Sequence, residues 1–183
     1  ALAVAIGANL PSLEGPPAST LIKIRPILEK LIYEWVRSLP RKETEKDKRE
    51  DTLFWNWSPL FKTKPIGGPP DQPDFINAAL VVYGRNLQEL TPSVSLAKDL
   101  LNRFLLMEKD FGRERSLHSV HWGPRPLDID LLAWRNLEVN SPELTLPHPR
   151  SLERSFVIIP LAEALKQYSP APIKLLPQQG WKE

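Results

Sequence analysis

The sequence predicts an α+β fold in which one mainly antiparallel sheet carries helices on one face. The first observation is an apolar run at residues 2–10, typical of a buried strand, followed by a segment with helical periodicity. The second is the presence of further runs rich in strand-forming residues, at 52–61, 75–83 and 127–134. The resulting order of strand, helix, strand, strand, helix and strand is that of the ferredoxin-like arrangement.

Length and composition indicate one soluble globular domain over residues 1–183. Of the 183 residues, 42% are hydrophobic and 25% are charged, which suits a single core of ordinary size. The 24 Lys and Arg residues nearly balance the 22 Asp and Glu residues, giving a net charge of +2. This charge provides no overall field that would attract nucleic acid or anionic lipid, so we expect neither as a partner.

Cysteine usage and hydropathy restrict the compartment and the metal ligands. The chain has no cysteine, which excludes disulfides, thiol nucleophiles and thiolate metal sites and fits a reducing compartment. The apolar segment 1–10 lacks a cationic leader, and no run reaches the roughly 20 apolar residues that a membrane span requires. We therefore expect a cytoplasmic protein whose metal ligands would be carboxylates or histidines.

In the first part of the chain, one strand and one helix precede a charged insert. The strand is expected to end near Gly7, and apolar residues recurring every three or four positions predict a helix over 18–39. Pro26 lies inside this helix, which is therefore either kinked there or begins its regular part there. An insert is expected over about residues 37–57, because its centre alternates charge with nothing to bury.

The middle of the chain holds two predicted strands, a long loop and a helix. The strands, at 52–61 and 75–83, flank a loop at 62–74 that is dense in Pro and Gly. A loop of that length inside a compact domain is more often functional than idle. The helix is predicted over 91–112, with Thr91 as N-cap, Pro92 at the first helical position and Gly112 at its C-terminal end.

The last third of the chain alternates irregular segments with one strand and one helix. Residues 113–126 and 140–154 are predicted loops, 127–134 a strand, and 156–165 the start of a short final helix. The tail over about residues 166–183 is rich in proline.

Two carboxylates stand one residue apart in the segment WGPRPLDIDLLAW. In a strand, Asp128 and Asp130 point to the same face with Cα atoms about 6–7 Å apart, while Ile129 and Leu131 point to the other. Such a pair suits Mg²⁺, which keeps several waters and takes one or two carboxylates together with substrate phosphates. The alternative is a polar strand face that looks into water.

Arginines are concentrated beside this strand and in the loop that follows it. Arginine stays charged and presents forked donors that match phosphate oxygens, so several of them around two carboxylates indicate a metal and polyphosphate site. The alternative is scattered surface charge. The five residues are Arg113, Arg115, Arg125, Arg150 and Arg154.

The other polar and aromatic candidates are less specific. His148, in LPHPR, is suited either to binding a phosphate or to shaping a turn, and His121 is expected to be structural. No Gly-x-x-x-x-Gly-Lys loop is present, which excludes a P-loop nucleotide site. Several side chains could stack on a flat heterocycle or bind its edge, although isolated aromatics more often belong to a core. They are Phe75, Asn77, Trp122 and Phe156.

Six short motifs occur in a fixed order along the chain: AIGANL, GGPPDQPDFINA, GR, WGPRPLDIDLLAW, LPHPR and ERSFVIIPLAE. In order and spacing they resemble the 6-hydroxymethyl-7,8-dihydropterin pyrophosphokinases of folate biosynthesis. The resemblance covers residues 2 to about 165. Its W-G-P-R-x-L-D-x-D segment followed by L-P-H-P-R is specific, and the joint occurrence of six motifs argues against accident.

The resemblance implies that the β,γ-pyrophosphoryl group of ATP is transferred to a pterin hydroxymethyl group with release of AMP. ATP would be the co-substrate and two Mg²⁺ ions the cofactors, both held by Asp128 and Asp130, which form the catalytic set together with Arg113 and Arg125. The expected partners are small molecules alone, bound by a monomer. The residues that match ATP-contacting positions are Glu108, Arg113, Arg115, Leu131, Thr145, His148 and Arg154.

For the pterin, the resemblance implies two rings that sandwich the heterocycle, groups that bind its edge and a loop tryptophan that packs over the site after closure. These correspond to Phe75 and Phe156, to Thr63, Asn77 and the backbone of Ile66, and to Trp122. Four features depart from the family pattern. The insert at 37–57 lengthens the first helix-to-strand connection, and Phe75 replaces a tyrosine found in some members, which preserves stacking but loses a hydroxyl. The loop from Arg113 to Trp122 is longer than in compact members, and His121 stands where an arginine can occur.

Two other functions are alternatives. Another metal-dependent phosphotransferase or nuclease would use the same aspartate pair, but it would not explain the Pro-rich loop and Phe-x-Asn sequence at 63–77, which fit a flat substrate. A ferredoxin-like RNA-binding domain would stack bases on aromatic residues of its central strands. Against it, the net charge is near zero and the signature of such domains is missing.

Overall fold

Seven strands and four helices are present in the computed structural model of the protein, within the residues it describes, 1–39, 53–115 and 122–166. The strands are β1 (Leu2–Ala8), β2 (Phe54–Trp57), β3 (Phe61–Thr63), β4 (Phe75–Tyr83), β5 (Asp128–Trp134), β6 (Val139–Asn140) and β7 (Thr145–Leu146). The helices are α1 (Pro17–Ser38), α2 (Arg85–Glu89), α3 (Val94–Asp110) and α4 (Ser155–Lys166).

Five of the strands form one antiparallel sheet. Its order is β2-β4-β1-β5, and the short β3 pairs with the first part of β4. Every pairing in this sheet is antiparallel. With β3 set aside, the order is that of the four-stranded ferredoxin-like sheet. The predicted α+β fold is confirmed.

The main hydrophobic core lies between this sheet and the helices α1 and α3. Trp35 of α1 packs edge-on against Trp134 of β5, with ring centroids 5.2 Å apart. Pro26 is on the exposed side of α1, which continues through it. The helix forms because one of its faces is apolar at helical spacing, and burial of that face provides most of its stability. The buried positions include Leu21, Ile24, Leu28, Ile32 and Trp35.

Helix α4 covers part of the opposite face of the sheet. Ala79 and Val81 of β4 are buried although they do not belong to the main core, and α4 packs against β4. Phe156, at the start of α4, lines a pocket together with Asn77 on this face. The expectation that all helices lie on one face is therefore wrong. The physical reason is that β4 is apolar on both faces, so each face requires a covering layer.

The cap of α3 differs from the predicted one. The helix begins at Val94, and the hydroxyl of Ser93 accepts a hydrogen bond from Leu96 N at 3.3 Å. Thr91 is therefore not the N-cap, because Ser93 satisfies one of the free N–H groups of the first turn. Gly112 follows the helix with φ of +88°, as predicted for its C-terminal end.

Other boundaries also differ. The strand predicted at 52–61 is divided into β2 and β3 around Pro59, which has no N–H to donate. Helix α2 and the β6–β7 hairpin were not predicted. α1 and β2 occupy the two ends of the predicted insert, while its centre, 40–52, lies outside the described residues, as do His121 and the tail from 167. No helix within the described ranges is long and apolar enough to cross a membrane.

Candidate active site

A pocket of about 510 Å³ lies at the edge of the sheet where β1 ends and β4 and β5 begin. Its wall comes from the segment between β3 and β4, the segment leading into β5, and the region around the start of α4. It brings together the two predicted metal ligands, two of the predicted phosphate-binding arginines and all six residues predicted to contact a pterin. The lining residues are Thr63, Lys64, Pro65, Ile66, Gly67, Phe75, Asn77, Trp122, Arg125, Asp128, Asp130, Arg154 and Phe156.

A glycine in the central strand β1, which has no Cβ atom, leaves room for the polar side chains of the pocket. Gly7 pairs with Asn77 of β4 on one side and with Asp128 of β5 on the other. A Cβ atom on Gly7 would lie 2.6 Å from Oδ1 of Asn77, closer than packed atoms approach without displacement. Its absence leaves room for the Asn77 amide, whose Nδ2 donates to the Thr63 hydroxyl at 2.7 Å.

The Asp128 carboxylate is held between two arginines. Its Oδ2 accepts a hydrogen bond from Arg125 Nη1 at 2.8 Å, and its Oδ1 accepts one from Arg113 Nη1. Burial acts to raise the pKa of Asp128, but the positive charges of Arg113 and Arg125 outweigh it and hold this pKa below its usual value. Asp128 is therefore ionised at neutral pH.

Asp130 lies on the same face of β5, but the charges of Arg113 and Arg125 compensate it less than they compensate Asp128. Across 1–39, 53–115 and 122–166, no hydrogen bond or ion pair engages its carboxylate. Burial and the nearby negative charge of Asp128 raise the pKa of Asp130 to about 7. A cation bound between the two carboxylates would relieve this repulsion.

The aspartate pair fits Mg²⁺ better than a metal that needs a full protein cage. In the described part of the chain, no cluster of three or more histidine or acidic side chains could surround an ion. Magnesium does not require one, because it is commonly bound by one or two carboxylates, with water and substrate phosphates as further ligands. The residues present therefore fit Mg²⁺ bound together with a polyphosphate.

A third carboxylate, Glu108 near the end of α3, lies behind the pair and is 1% exposed. Its Oε1 accepts hydrogen bonds from Arg113 Nη1 at 2.7 Å and from Ile129 N at 2.8 Å, and its Oε2 accepts one from Arg115 Nη2 at 2.6 Å. Burial raises the pKa of Glu108 against the opposing effect of Arg113. Glu108 is predicted to contact ATP, but in this structure its carboxylate is engaged with the protein, where it fastens α3 to β5.

The two arginines that follow α3 are held away from the pocket. Arg113 is bound by Glu108 and Asp128 and donates to the Leu127 carbonyl at 3.3 Å, while Arg115 is bound by Glu108. Neither lines the pocket. Their predicted contact with phosphates therefore requires them to change partners.

Apart from Arg154, the remaining predicted ATP contacts lie around β5 and the hairpin after it. Leu131 is 3% exposed and belongs to the main core, so its side chain is not available for a contact. The backbone N–H of His148 donates to the Leu132 carbonyl at 2.8 Å, which holds the loop after β7 against β5. Burial and the charge of Arg154 lower the pKa of His148, so it is neutral at neutral pH. Thr145 begins β7.

Three aromatic rings of the pocket wall have arginines beside them. Such contacts are favourable because the guanidinium group is attracted to the ring face. They place positive charge next to the flat surfaces that a heterocycle would use. The distances from guanidinium carbon to ring centroid are 5.9 Å for Arg125 and Phe75, 5.5 Å for Arg154 and Phe156, and 4.8 Å for Arg150 and Trp122.

Two polar residues that support the pocket were not identified from the sequence. Asn9 is 2% exposed, directly after β1, and Gln72 donates to the Trp122 carbonyl at 3.1 Å. The available signal was the position of Asn9 at the end of an apolar strand, where a buried amide needs partners. Nothing in the sequence indicated which segments those partners come from.

Replacing Asp130 by Asn should stabilise the metal-free protein at alkaline pH. The folded-state pKa of Asp130 is raised to about 7, so the folded protein binds this proton more tightly than the unfolded chain, and stability falls as the pH rises from about 4 to about 7. The neutral amide of the variant does not titrate, so this fall in stability with rising pH does not occur. In EDTA, we expect the Tm of the variant to exceed that of the wild type by roughly 5 °C at pH 8 and to match it near pH 4. An unchanged or lower Tm at pH 8 would contradict the assignment.

Comparison with known proteins identifies one family. The family model described as 7,8-dihydro-6-hydroxymethylpterin-pyrophosphokinase (HPPK) matches residues 3–166. Relatives named 2-amino-4-hydroxy-6-hydroxymethyldihydropteridine pyrophosphokinase are 41% identical over 97 residues in Synechocystis sp. and 36% identical over 110 residues in Bacillus subtilis. A mitochondrial folate synthesis bifunctional protein of Arabidopsis thaliana is 36% identical over 118 residues.

These alignments cover only part of the relatives. The Synechocystis alignment includes 52% of this chain and 43% of the relative. The Bacillus alignment includes 60% of this chain and 58% of the relative. The Arabidopsis alignment includes 64% of this chain and 19% of the relative. This chain thus aligns with about half the length of the two bacterial relatives and about a fifth of the plant one. The family model, by contrast, extends from β1 to the last described residue of α4. Because this match covers most of the chain, the chain belongs to the 7,8-dihydro-6-hydroxymethylpterin-pyrophosphokinase family.

Proposed function

We propose that this chain transfers the β,γ-pyrophosphoryl group of ATP to the hydroxymethyl group of 6-hydroxymethyl-7,8-dihydropterin, giving the pterin diphosphate and AMP. The observation that carries the proposal is that one pocket contains the aspartate pair, two phenylalanine rings and the Asn77 amide. A flat heterocycle and a metal-bound polyphosphate would therefore meet in one site. The names of the bacterial relatives describe a kinase of the same kind.

The pterin would bind between Phe75, at the start of β4, and Phe156, at the start of α4. Both rings line the pocket, and stacking on such rings suits a flat conjugated substrate. The Asn77 amide and the Thr63 hydroxyl, already hydrogen-bonded to each other at 2.7 Å, offer donors and acceptors to the ring edge. The backbone at Ile66 lies in the same wall and completes this edge-binding set.

The phosphates of ATP would lie over β5, where Asp128 and Asp130 would hold two Mg²⁺ ions. When bound, these ions neutralise phosphate charge and polarise the phosphorus that is attacked. Arg125 and Arg154 line the same pocket and supply further positive charge to the phosphate oxygens. Such fixed charges stabilise a transition state in which negative charge is spread over several oxygens.

The proposed reaction forms one bond to phosphorus, breaks another and releases one proton. The hydroxymethyl oxygen attacks the β-phosphorus, the bond from this phosphorus to the oxygen it shares with the α-phosphate breaks, and AMP leaves with that oxygen. Asp128 is a weak base, because Arg113 and Arg125 hold its pKa low, and the positive charge of a bound metal ion would keep this pKa low after Arg113 moves to the phosphates. It therefore orients the hydroxyl group, and the hydroxyl proton leaves to solvent. Rate acceleration then comes mainly from positioning and charge neutralisation.

Arg113 and Arg115 would change partners when ATP binds. Both are bound to Glu108, and Arg113 is also bound to Asp128. A polyphosphate offers more negative charge and more acceptor oxygens than one carboxylate, so it competes for these arginines. Their transfer to the phosphates frees Asp128 for a metal ion.

An RNA-binding function is less well supported by this fold. RNA-binding domains with a similar sheet stack bases on its open face. Here α4 covers part of that face, and the open part carries the acidic pair Asp128 and Asp130. When no metal ion is bound, these carboxylates would repel the phosphate backbone of RNA.

With a net charge of +2, we infer that the partners are small molecules bound by a cytoplasmic monomer, without nucleic acid or membrane.

The reaction products test the proposed function directly. The chain, incubated with ATP, Mg²⁺ and 6-hydroxymethyl-7,8-dihydropterin, should form AMP and the pterin diphosphate in equal amounts, because one attack on the β-phosphorus yields both. Formation of AMP, followed by ion-exchange chromatography, should require the pterin and stop in EDTA. Release of ADP, or of inorganic phosphate without AMP, would reject pyrophosphoryl transfer.

Removing either aspartate charge should abolish turnover in a folded protein. We expect Asp128→Asn and Asp130→Asn each to lower kcat/KM by roughly 10³-fold or more, because several kcal/mol of charge stabilisation by the metal ions is lost. Circular dichroism would check the fold. The matched control is Asp99→Asn on the surface of α3, where Asp99 pairs with Arg103 at 3.1 Å, and it should stay near the wild-type rate. A near-normal rate for either test variant would remove that residue from the metal site.

A further inference from the structure

An arginine outside the pocket packs on an aromatic ring of the pocket wall. The guanidinium carbon of Arg150 lies 4.8 Å from the centroid of the Trp122 ring. Trp122 lines the pocket, whereas Arg150 does not. Trp122 is also 37% exposed, so it lies between the inside of the pocket and the solvent. Arg150 therefore contacts this outer wall without contacting the space in which a substrate would bind.

The backbone of Trp122 has a conformation that must be held by its surroundings. Its φ is +56°, in the left-handed region that bulky residues rarely adopt. Such a conformation persists only where other contacts maintain it. Two of these contacts come from the loop before β4. The Trp122 carbonyl accepts a hydrogen bond from Gln72 Nε2 at 3.1 Å, and the ring packs over Gly67, where a Cβ atom would lie 2.8 Å from it.

The turn between β7 and α4 fixes the backbone of Arg150, which provides a further contact. Ser151 is 6% exposed and donates its hydroxyl and its N–H to the His148 carbonyl at 2.8 Å and 3.0 Å. The N–H of Glu153 donates to the Arg150 carbonyl at 3.2 Å. Within residues 1–39, 53–115 and 122–166, no hydrogen bond or ion pair engages the Arg150 guanidinium. This cation is therefore available for the Trp122 ring, whose face attracts it.

A second arginine near the same ring is placed differently. The guanidinium carbon of Arg154 lies 6.0 Å from the Trp122 centroid and 5.5 Å from the Phe156 centroid. Arg154 lines the pocket, and the proposed function assigns its charge to phosphate oxygens. Arg150 is farther from that chemistry and closer to Trp122, so its contact with the ring can be removed without changing the pocket lining.

We propose that Arg150 is a positioning residue that holds Trp122 as the outer wall of the pocket and so sets how fast a pterin enters and leaves. The inference rests on the proposed function, which places the pterin between Phe75 and Phe156. The Trp122 ring must turn aside for the pterin to pass, and this movement breaks the contact with Arg150. Because Arg150 does not line the pocket, the contact resists opening of the empty and of the occupied pocket alike. It slows association and dissociation by the same factor and leaves the affinity unchanged.

The test measures both rate constants by stopped-flow fluorescence of 6-hydroxymethylpterin with the full chain, without nucleotide. Loss of one cation–π contact at a partly exposed ring should raise the association and the dissociation rate constants of Arg150→Ala by roughly two- to fivefold each, with Kd nearly unchanged. The matched control is Arg85→Ala, because Arg85 is an exposed arginine of α2 that pairs with Glu89 at 3.3 Å. Helix α2 follows the end of β4 that is remote from the pocket, so the control should keep the wild-type rate constants.

A double-mutant cycle shows whether Arg150 acts through the Trp122 ring. Trp122→Ala removes the ring and should itself accelerate both steps. Adding Arg150→Ala to Trp122→Ala should then change neither rate constant further, because the guanidinium has lost the ring that it contacts. Arg150→Lys keeps a cation near the ring but loses the planar group, so its rate constants should lie between those of the wild type and of Arg150→Ala.

The outcomes separate this inference from the proposed function. Arg150→Ala with wild-type rate constants overturns the inference. A change in dissociation alone also overturns it, because that pattern indicates a lost contact with the pterin itself. So does an effect of Arg150→Ala that persists when the Trp122 ring is absent. A wild type that binds no pterin, or that forms no AMP from the two substrates, rejects the proposed function instead.

Discussion

The site depends on the unequal charge compensation of two neighbouring carboxylates in β5. Asp128 is bound by Arg113 and Arg125, whereas Asp130 has no bonded partner in the described part of the chain and has a pKa raised to about 7. The strand geometry prevents the two side chains from separating, because residues two apart share one face. The fold therefore maintains a repulsion that either a proton on Asp130 or a bound cation relieves, and this repulsion favours metal binding once a polyphosphate is present.

The backbone around this pair is fixed from three directions. Gly7 sets the sheet register between Asn77 and Asp128, Glu108 binds the N–H of Ile129 from α3, and Asn9 holds the turn that carries Arg125. The bond from Ile129 N to Glu108 is buried and the bond from Arg125 N to Asn9 is partly buried, so the loss of either would leave an unsatisfied polar group as well as a missing bond. The proposed positioning of phosphates needs this rigidity, because small displacements would cost much of the rate.

The sequence predicted those features that depend on local pattern. The strand at β4 and the shared face of Asp128 and Asp130 follow from residue types and the two-residue period of a strand. It did not predict that α4 covers the second face, because that depends on burial of β4 on both sides. It also did not predict that Glu108 faces the protein interior or that Asn9 joins two loops, because their partners lie 21 and 116 residues away along the chain. The resemblance predicted site positions, but not the bonds that hold them.

The same charge arrangement explains why metal and nucleotide should bind as one complex. A magnesium ion arriving alone would have to compete with Arg113 and Arg125 for Asp128. A polyphosphate arriving alone would meet the negative charges of the two aspartates on the pocket wall. When they arrive together, the phosphates would take over Arg113 while the ion would take over the carboxylates, so Asp128 would exchange one partner for another and Asp130 would gain one. The Asp128 carboxylate would therefore not be left uncompensated during the exchange, when the cost would be greatest.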